Sequence, residues 1–123
     1  MNILYVEDDV EISQLAKTIF VELNHPTLWC HDVNCAINAI DGGGKIDLIL
    51  LDLKLDKSHG VDLLRYMEKI KSKIPVVVIS GQLHSYESEI EYFKKKGMIL
   101  AVYSKPYSLA YLAKNINSMF PTK

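Results

Sequence analysis

At 123 residues, with 49% hydrophobic and 24% charged residues and a mean hydropathy near zero, the chain has room for one globular domain and not for two. Fourteen basic residues against fifteen acidic ones give a formal net charge of −1, so no overall field draws the protein to nucleic acid or to an anionic membrane. No apolar stretch approaches the roughly 18–20 residues of a membrane span. No secretory leader precedes Ile3-Leu4-Tyr5-Val6, so the expected setting is cytoplasmic.

The first element, Ile3 to Val6, is short, continuous and apolar, as suits a strand buried on both faces. From Asp9 to Leu23 the residues Ile12, Leu15/Ala16, Ile19 and Leu23 recur at helical spacing, and Asn24-His25-Pro26 stops that helix. Thr27 to Cys30 predicts a second strand and Asn34 to Ile40 a short helix. Cys30 and Cys35 flank His31, but a C-x4-C pair is too few ligands for a structural zinc site. Without a secretory signal they are expected to be reduced cysteines that serve packing. Asp41-Gly42-Gly43-Gly44-Lys45 breaks the chain; Ile46 follows Lys45, so the spacing of a phosphate-binding loop is missing.

Ile46 to Leu51 predicts a third, very apolar strand, and Leu63, Met67 and Ile70 the inner face of the next helix. Pro75 leads into Val76-Val77-Val78-Ile79, the clearest strand of all. Tyr86, Ile90 and Phe93 mark a fourth helix, closed by Lys94-Lys95-Lys96 against its dipole and by Gly97 as a left-handed cap. Ile99 to Tyr103 predicts the fifth strand. A last helix carries Leu109, Leu112, Ile116 and Met119 inward, with Ser108 as N-cap. Strands alternating with helices five times predict a parallel sheet covered on both faces. There is no repeat, low-complexity segment or linker, and three residues after Phe120 the sequence stops. The expectation is therefore one domain over 1–123.

In an open sheet of this kind ligands bind beyond the carboxyl ends of the strands. Glu7, Asp8 and Asp9 follow the first strand, Asp52 the third, Ser80 and Gly81 the fourth, and Lys105 with Pro106 the fifth. Singly, each has a plainer reading. Asp8 with Glu11 matches a helix capping box, Ser80 a turn residue and Lys105 a solvated surface lysine. Asp52 is harder to explain in that way, because it ends the unbroken apolar run Leu48-Ile49-Leu50-Leu51. Together they make a phosphoryl site. Crowded carboxylates call for a hard divalent cation, most simply Mg²⁺. Lys105 and the Ser80 hydroxyl can meet phosphate oxygens, and an ionised Asp52 is a nucleophile that needs no general base.

With these segments in this order the sequence resembles the receiver domains of two-component response regulators, over essentially its whole length. The segments are Ile3 to Asp9, Asp47 to Leu55, Gly60 eight residues past Asp52, Val76 to Gly81 and Ser104-Lys105-Pro106-Tyr107. The resemblance implies a flavodoxin-like doubly wound α/β fold with five parallel strands in order 2-1-3-4-5. It implies Asp52 as phosphoacceptor, with Glu7, Asp8, Asp52 and the backbone carbonyl of Lys54 around Mg²⁺. Ser80 and Lys105 would be the phosphate-sensing pair, and Lys105-Pro106 a cis peptide. The donor would be a sensor histidine kinase or histidine phosphotransfer protein. Output would pass to an unidentified protein target, with no nucleic-acid or membrane contact and no enzymatic activity beyond phosphorylation and dephosphorylation at Asp52.

The sequence also departs from the family pattern. Val102 stands where the family carries an aromatic switch residue, with Tyr103 next to it, and a shifted strand would restore Tyr103 to that role. Asp56 stands where many relatives have Pro, and Lys54 and Gln82 occupy the positions that tune phosphoryl lifetime. Tyr86, Tyr92, Tyr103, Tyr107 and Tyr111 fall along the family's usual docking face, where they serve either an interface or the domain's own packing. The leading reading is a stand-alone receiver. A pseudo-receiver indifferent to phosphate, the receiver fragment of a larger regulator, and an aspartyl-phosphate enzyme are the alternatives; the last lacks residues for a substrate-enclosing cap.

Overall fold

The computed structural model describes residues 1–56, 58–105 and 109–118, with residues 109, 110 and 117 in backbone only. Five strands, β1 (Ile3–Val6), β2 (Thr27–Cys30), β3 (Leu48–Asp52), β4 (Val76–Ser80) and β5 (Ile99–Ser104), form one parallel sheet. Their order is β2-β1-β3-β4-β5, the doubly wound topology expected from the sequence. The helices are α1 (Val10–Glu22), α2 (Val33–Asp41), α3 (Gly60–Lys69), α4 (Glu87–Lys95) and α5 (Leu109–Ser118), and a 3₁₀ turn, Leu83–Tyr86, leads into α4.

Alternation along β3 divides the core. Leu48 and Leu50 point to the layer of α1 and α5, where Tyr5, Phe20 and Ile116 are buried; Ile49 and Leu51 point to the layer of α2, α3 and α4. Burying each such side chain is worth about 2–3 kcal/mol. This explains why β3 reads as an unbroken apolar run rather than an alternating one.

Several boundaries differ from the sequence reading. The third strand begins at Leu48 because Asp47 turns its carboxylate to the Asn2 amide, 2.7 Å, while its own amide donates to the Asn2 carbonyl, 2.8 Å. Asp52 thereby becomes the last residue of the strand, in register with Ile79. The N-cap of α1 is Asp9, which accepts the Ile12 amide at 3.0 Å, so Asp8 is not a capping residue. The inner face of α1 runs through Ser13, Ala16 and Phe20, leaving Leu15 and Leu23 exposed; α3 buries Leu63, Leu64 and Met67, while Ile70 at its C-cap is exposed. Gly97 adopts φ +76° with the Met98 amide bonded back to the Phe93 carbonyl, the cap expected after α4.

Cys30 and Cys35 are not separate thiols but a disulfide pair. The turn at His31-Asp32 folds the chain back so sharply that their Cα atoms lie 5.4 Å apart, within bonding range. Sequence spacing did not show how tightly that turn closes. The proposed Ser108 cap, the Lys105-Pro106 peptide, Tyr107, Met119 and the side chain of Leu109 lie outside the described residues.

Candidate functional site

The carboxyl ends of β1, β3, β4 and β5 bring the expected residues together. Glu7 and Asp52 are almost fully buried, at 1% and 4% exposure, Ser80 is buried at the end of β4, and Lys105 is half-buried. The Lys105 ammonium lies 2.8 Å from Glu7 Oε1 and 2.8 Å from Asp52 Oδ2, tying β5 to β1 and β3. Asp52 Oδ1 accepts the Lys54 amide at 3.2 Å. Asp8 is half-exposed, and its Oδ2 accepts the Asp56 amide at 2.7 Å, so the loop after β3 closes over the acidic pair.

Burial pushes the Glu7 carboxyl up to about 7. Its hydrogen bond from Lys105 works against that rise, and the charge of Asp52 adds to it. Burial also opposes the Lys105 charge, but hydrogen bonds to Asp52 and Glu7 outweigh it and hold the ammonium above the ordinary lysine range. One cation thus serves two buried carboxylates. Oxygens of Glu7, Asp8 and Asp52 lie within 4.8 Å of one another, a donor set of the kind a hard divalent ion takes. The Lys54–His59 bridge is closed by its neighbours, Gly60 amide to Leu53 carbonyl and Leu55 amide to Ser58 carbonyl, so it makes no use of the Lys54 carbonyl.

Ser80 Oγ accepts the Gln82 amide at 3.1 Å, and the Ser80 carbonyl accepts the Lys105 amide at 3.0 Å. Gly81 sits against Lys105, where an added Cβ would meet the lysine Cβ at 3.7 Å, an ordinary contact. At the β4–β5 pairing Val78 faces Val102 and Ile79 faces Tyr103. Val102 packs on the α4 side, whereas Tyr103 packs on the α1 and α5 side. The irregular register near Val76 therefore does not bring Tyr103 into the position of Val102. Of the tyrosines on this surface, Tyr86 is buried, Tyr92 and Tyr111 are exposed and Tyr103 lies between.

Two contacts near the site had no signal in the sequence. The Trp29 indole donates to the Glu7 carbonyl at 2.5 Å. Tyr86 OH and His59 Nδ1 lie 2.7 Å apart, joining the loop after β3 to the start of α4. Burial, then the charge of Asp52, raises the Tyr86 phenol. A tryptophan in a half-buried strand and a histidine before a helix are common enough that only placement reveals their partners.

The family profile of the response regulator receiver domain matches residues 3–117. The chain is 30% identical over 81 residues to the transcriptional regulatory protein CpxR of Escherichia coli K12, covering 66% of this chain and 34% of that protein. It is 36% identical over 84 residues to the cell cycle transcriptional regulator CtrA of Caulobacter vibrioides, covering 66% of this chain and 35% of that one. The chain thus spans about a third of the length of these curated relatives. Among solved structures, the receiver domain of the Francisella response regulator 1452 superposes with a TM-score of 0.81 at 29% identity, covering 96% of this chain and 94% of that one.

Proposed function

This chain belongs to the family of response regulator receiver domains, and from that premise we propose that it is a phosphorylation switch of a two-component system, with Asp52 as the phosphoacceptor. The observation that carries the reading is the buried Asp52 carboxylate held on one oxygen by Lys105 and on the other by the Lys54 amide. Asp52 attacks the phosphorus of a phosphohistidine on a sensor kinase or phosphotransfer protein. The phosphorus–nitrogen bond breaks, its electron pair stays with the imidazole, and an acyl phosphate forms on Asp52. Lys105, already 2.8 Å from Asp52, turns its ammonium to a phosphoryl oxygen, and Ser80, whose Oγ accepts the Gln82 amide, keeps its hydroxyl proton to donate to another. Mg²⁺ held by Glu7, Asp8, Asp52 and the Lys54 carbonyl would offset the negative charge crowded at the site.

The chain acts as a single receiver domain over 1–123, in the cytoplasm, with no reaction beyond phosphorylation and dephosphorylation at Asp52. Its output is phosphorylation-dependent contact with a protein partner. The test is intact mass after incubation with MgCl₂ and acetyl phosphate. Wild type gains one labile phosphoryl group and Asp52→Asn gains none; an adduct on Asp52→Asn would refute the assignment. The length of the curated relatives favours a second reading, in which this receiver is one part of a longer regulator. Immunodetection at 14.0 kDa in the source cells would exclude it, and a larger band would establish it.

A further inference from the structure

We propose that Cys30 and Cys35 form a reversible dithiol–disulfide switch that sets the position of Glu7. Cys30 ends β2 in register with Val6, and its carbonyl accepts the Glu7 amide at 3.0 Å. The residue before it, Trp29, donates its indole N–H to the Glu7 carbonyl. Two consecutive residues of β2 therefore hold both main-chain polar groups of Glu7. Cys35 lies in the first turn of α2, where its amide is fixed by the Asp32 carboxylate at 2.8 Å. A bond between the two sulfurs locks the end of β2, and with it the Glu7 main chain, to that capped helix. Without the bond, the end of β2 keeps its ladder, its packing and the Trp29 hydrogen bond but loses its covalent tie to α2.

The placement suits exchange. The Cα separation of 5.4 Å lies inside the range a disulfide requires, so closing or opening the bond asks little of the backbone. Cys30 is buried in the core and Cys35 is half-exposed, which assigns Cys35 as the attacking thiol and Cys30 as the resolving one. The co-reactant is a low-molecular-weight disulfide such as oxidised glutathione. The Cys35 thiolate attacks one of its sulfurs, the glutathione S–S bond breaks, and one glutathione leaves as thiolate and takes up the proton that Cys35 gave. The Cys30 thiolate then attacks the Cys35 sulfur of the mixed disulfide and expels the second glutathione. Two protein thiols are oxidised and one glutathione disulfide is reduced to two thiols. A dithiol reductant reverses both steps.

The exchange stands on the cysteines alone; its effect on metal affinity rests on the proposed Glu7, Asp8 and Asp52 metal site. Wild-type protein is equilibrated in glutathione buffers of graded ratio, acid-quenched, alkylated and weighed. Hydrogen exchange at the Glu7 amide and Mg²⁺ titration by fluorescence of Trp29, the only tryptophan, are then compared in the two forms. The expected result is a reversible loss of two alkylation sites. In the reduced form the Glu7 amide exchanges faster and Mg²⁺ binds about three- to tenfold more weakly, because the acid pair is less preorganised. Cys35→Ser should match reduced wild type and ignore glutathione. Failure of the bond to form, or to reduce again, overturns the proposal. So does equal Glu7 exchange in both forms. If Mg²⁺ binds neither form, the metal-site reading fails, and Glu7 exchange still decides the switch.

Discussion

Replacing Gly60 by alanine drives a methyl group into the backbone that carries Asp52. A Cβ built there lies 2.4 Å from the Asp52 carbonyl oxygen and 2.9 Å from Leu53 Cα, and neither atom belongs to a side chain that can turn away. The first turn of α3 must therefore move off β3 by at least about 0.6 Å to reach the 3.0 Å limit of real contacts. Overpacking of this kind costs about 1–3 kcal/mol. The Gly60 amide, which donates to the Leu53 carbonyl at 2.7 Å, is stretched for about 1 kcal/mol more. Better helix propensity returns less than about 1 kcal/mol at this first helical position. The net loss of about 2–3 kcal/mol corresponds, at about 4 °C per kcal/mol for a chain of this size, to a Tm lower by about 8–12 °C. The same displacement moves Asp52 relative to Lys105 and Glu7, so acetyl phosphate should label the variant at least about tenfold more slowly. Gly44→Ala is the control: nothing lies within 4 Å of its Cβ, and it should melt with wild type. A Gly60→Ala protein melting within about 2 °C of wild type would refute the reasoning.

Lys105→Ala removes the cation shared by Glu7 and Asp52, and without metal it should lose about 2–3 kcal/mol in urea unfolding at pH 7. MgCl₂ should restore more stability to this variant than it adds to wild type; equal gains would argue against charge crowding. Glu7 binds its proton more tightly folded, with a pKa of about 7, than unfolded, at 4.5. In EDTA its contribution is thus fully present below about pH 4.5 and is lost as pH rises through about 7, with a ceiling of about 3 kcal/mol. Glu7→Gln should remove that slope from a series of melts, and an unchanged slope would exclude Glu7 as its source. Tyr86→Phe keeps the ring and deletes the hydrogen bond to His59, for about 1 kcal/mol. A double-mutant cycle with His59→Phe should return a coupling of about 0.5–1.5 kcal/mol, and a coupling of zero would show the contact to be incidental.

The elements and the site were legible for different reasons. The inner strands β1, β3 and β4 could be read because each carries a continuous apolar run buried on both faces, and such a run is a local property; the edge strands β2 and β5 leave Leu28 and Leu100 exposed. The site could be read because Glu7, Asp8, Asp52, Ser80 and Lys105 all lie at or just past the carboxyl ends of strands, and a parallel sheet gathers those ends on one edge. Neither step needs a distance. Errors arose where competing local choices are settled by contacts from elsewhere. Asp9 and not Asp8 caps α1, since Asp8 is taken up by the Asp56 amide. The third strand starts two residues late because Asp47 is bound to Asn2.

By itself the sequence determined the order of elements, the layer architecture and the set of polar residues that meet at the sheet edge, because periodicity and chain order suffice for these. Only the tertiary structure decided that Lys105 bridges Glu7 and Asp52, that Val102 and not Tyr103 faces the α4 layer, that Trp29 holds Glu7 and that Cys30 meets Cys35. Each of these depends on strand register or on the tightness of a turn, which shifts a side chain across the sheet or through several ångströms without altering any local pattern.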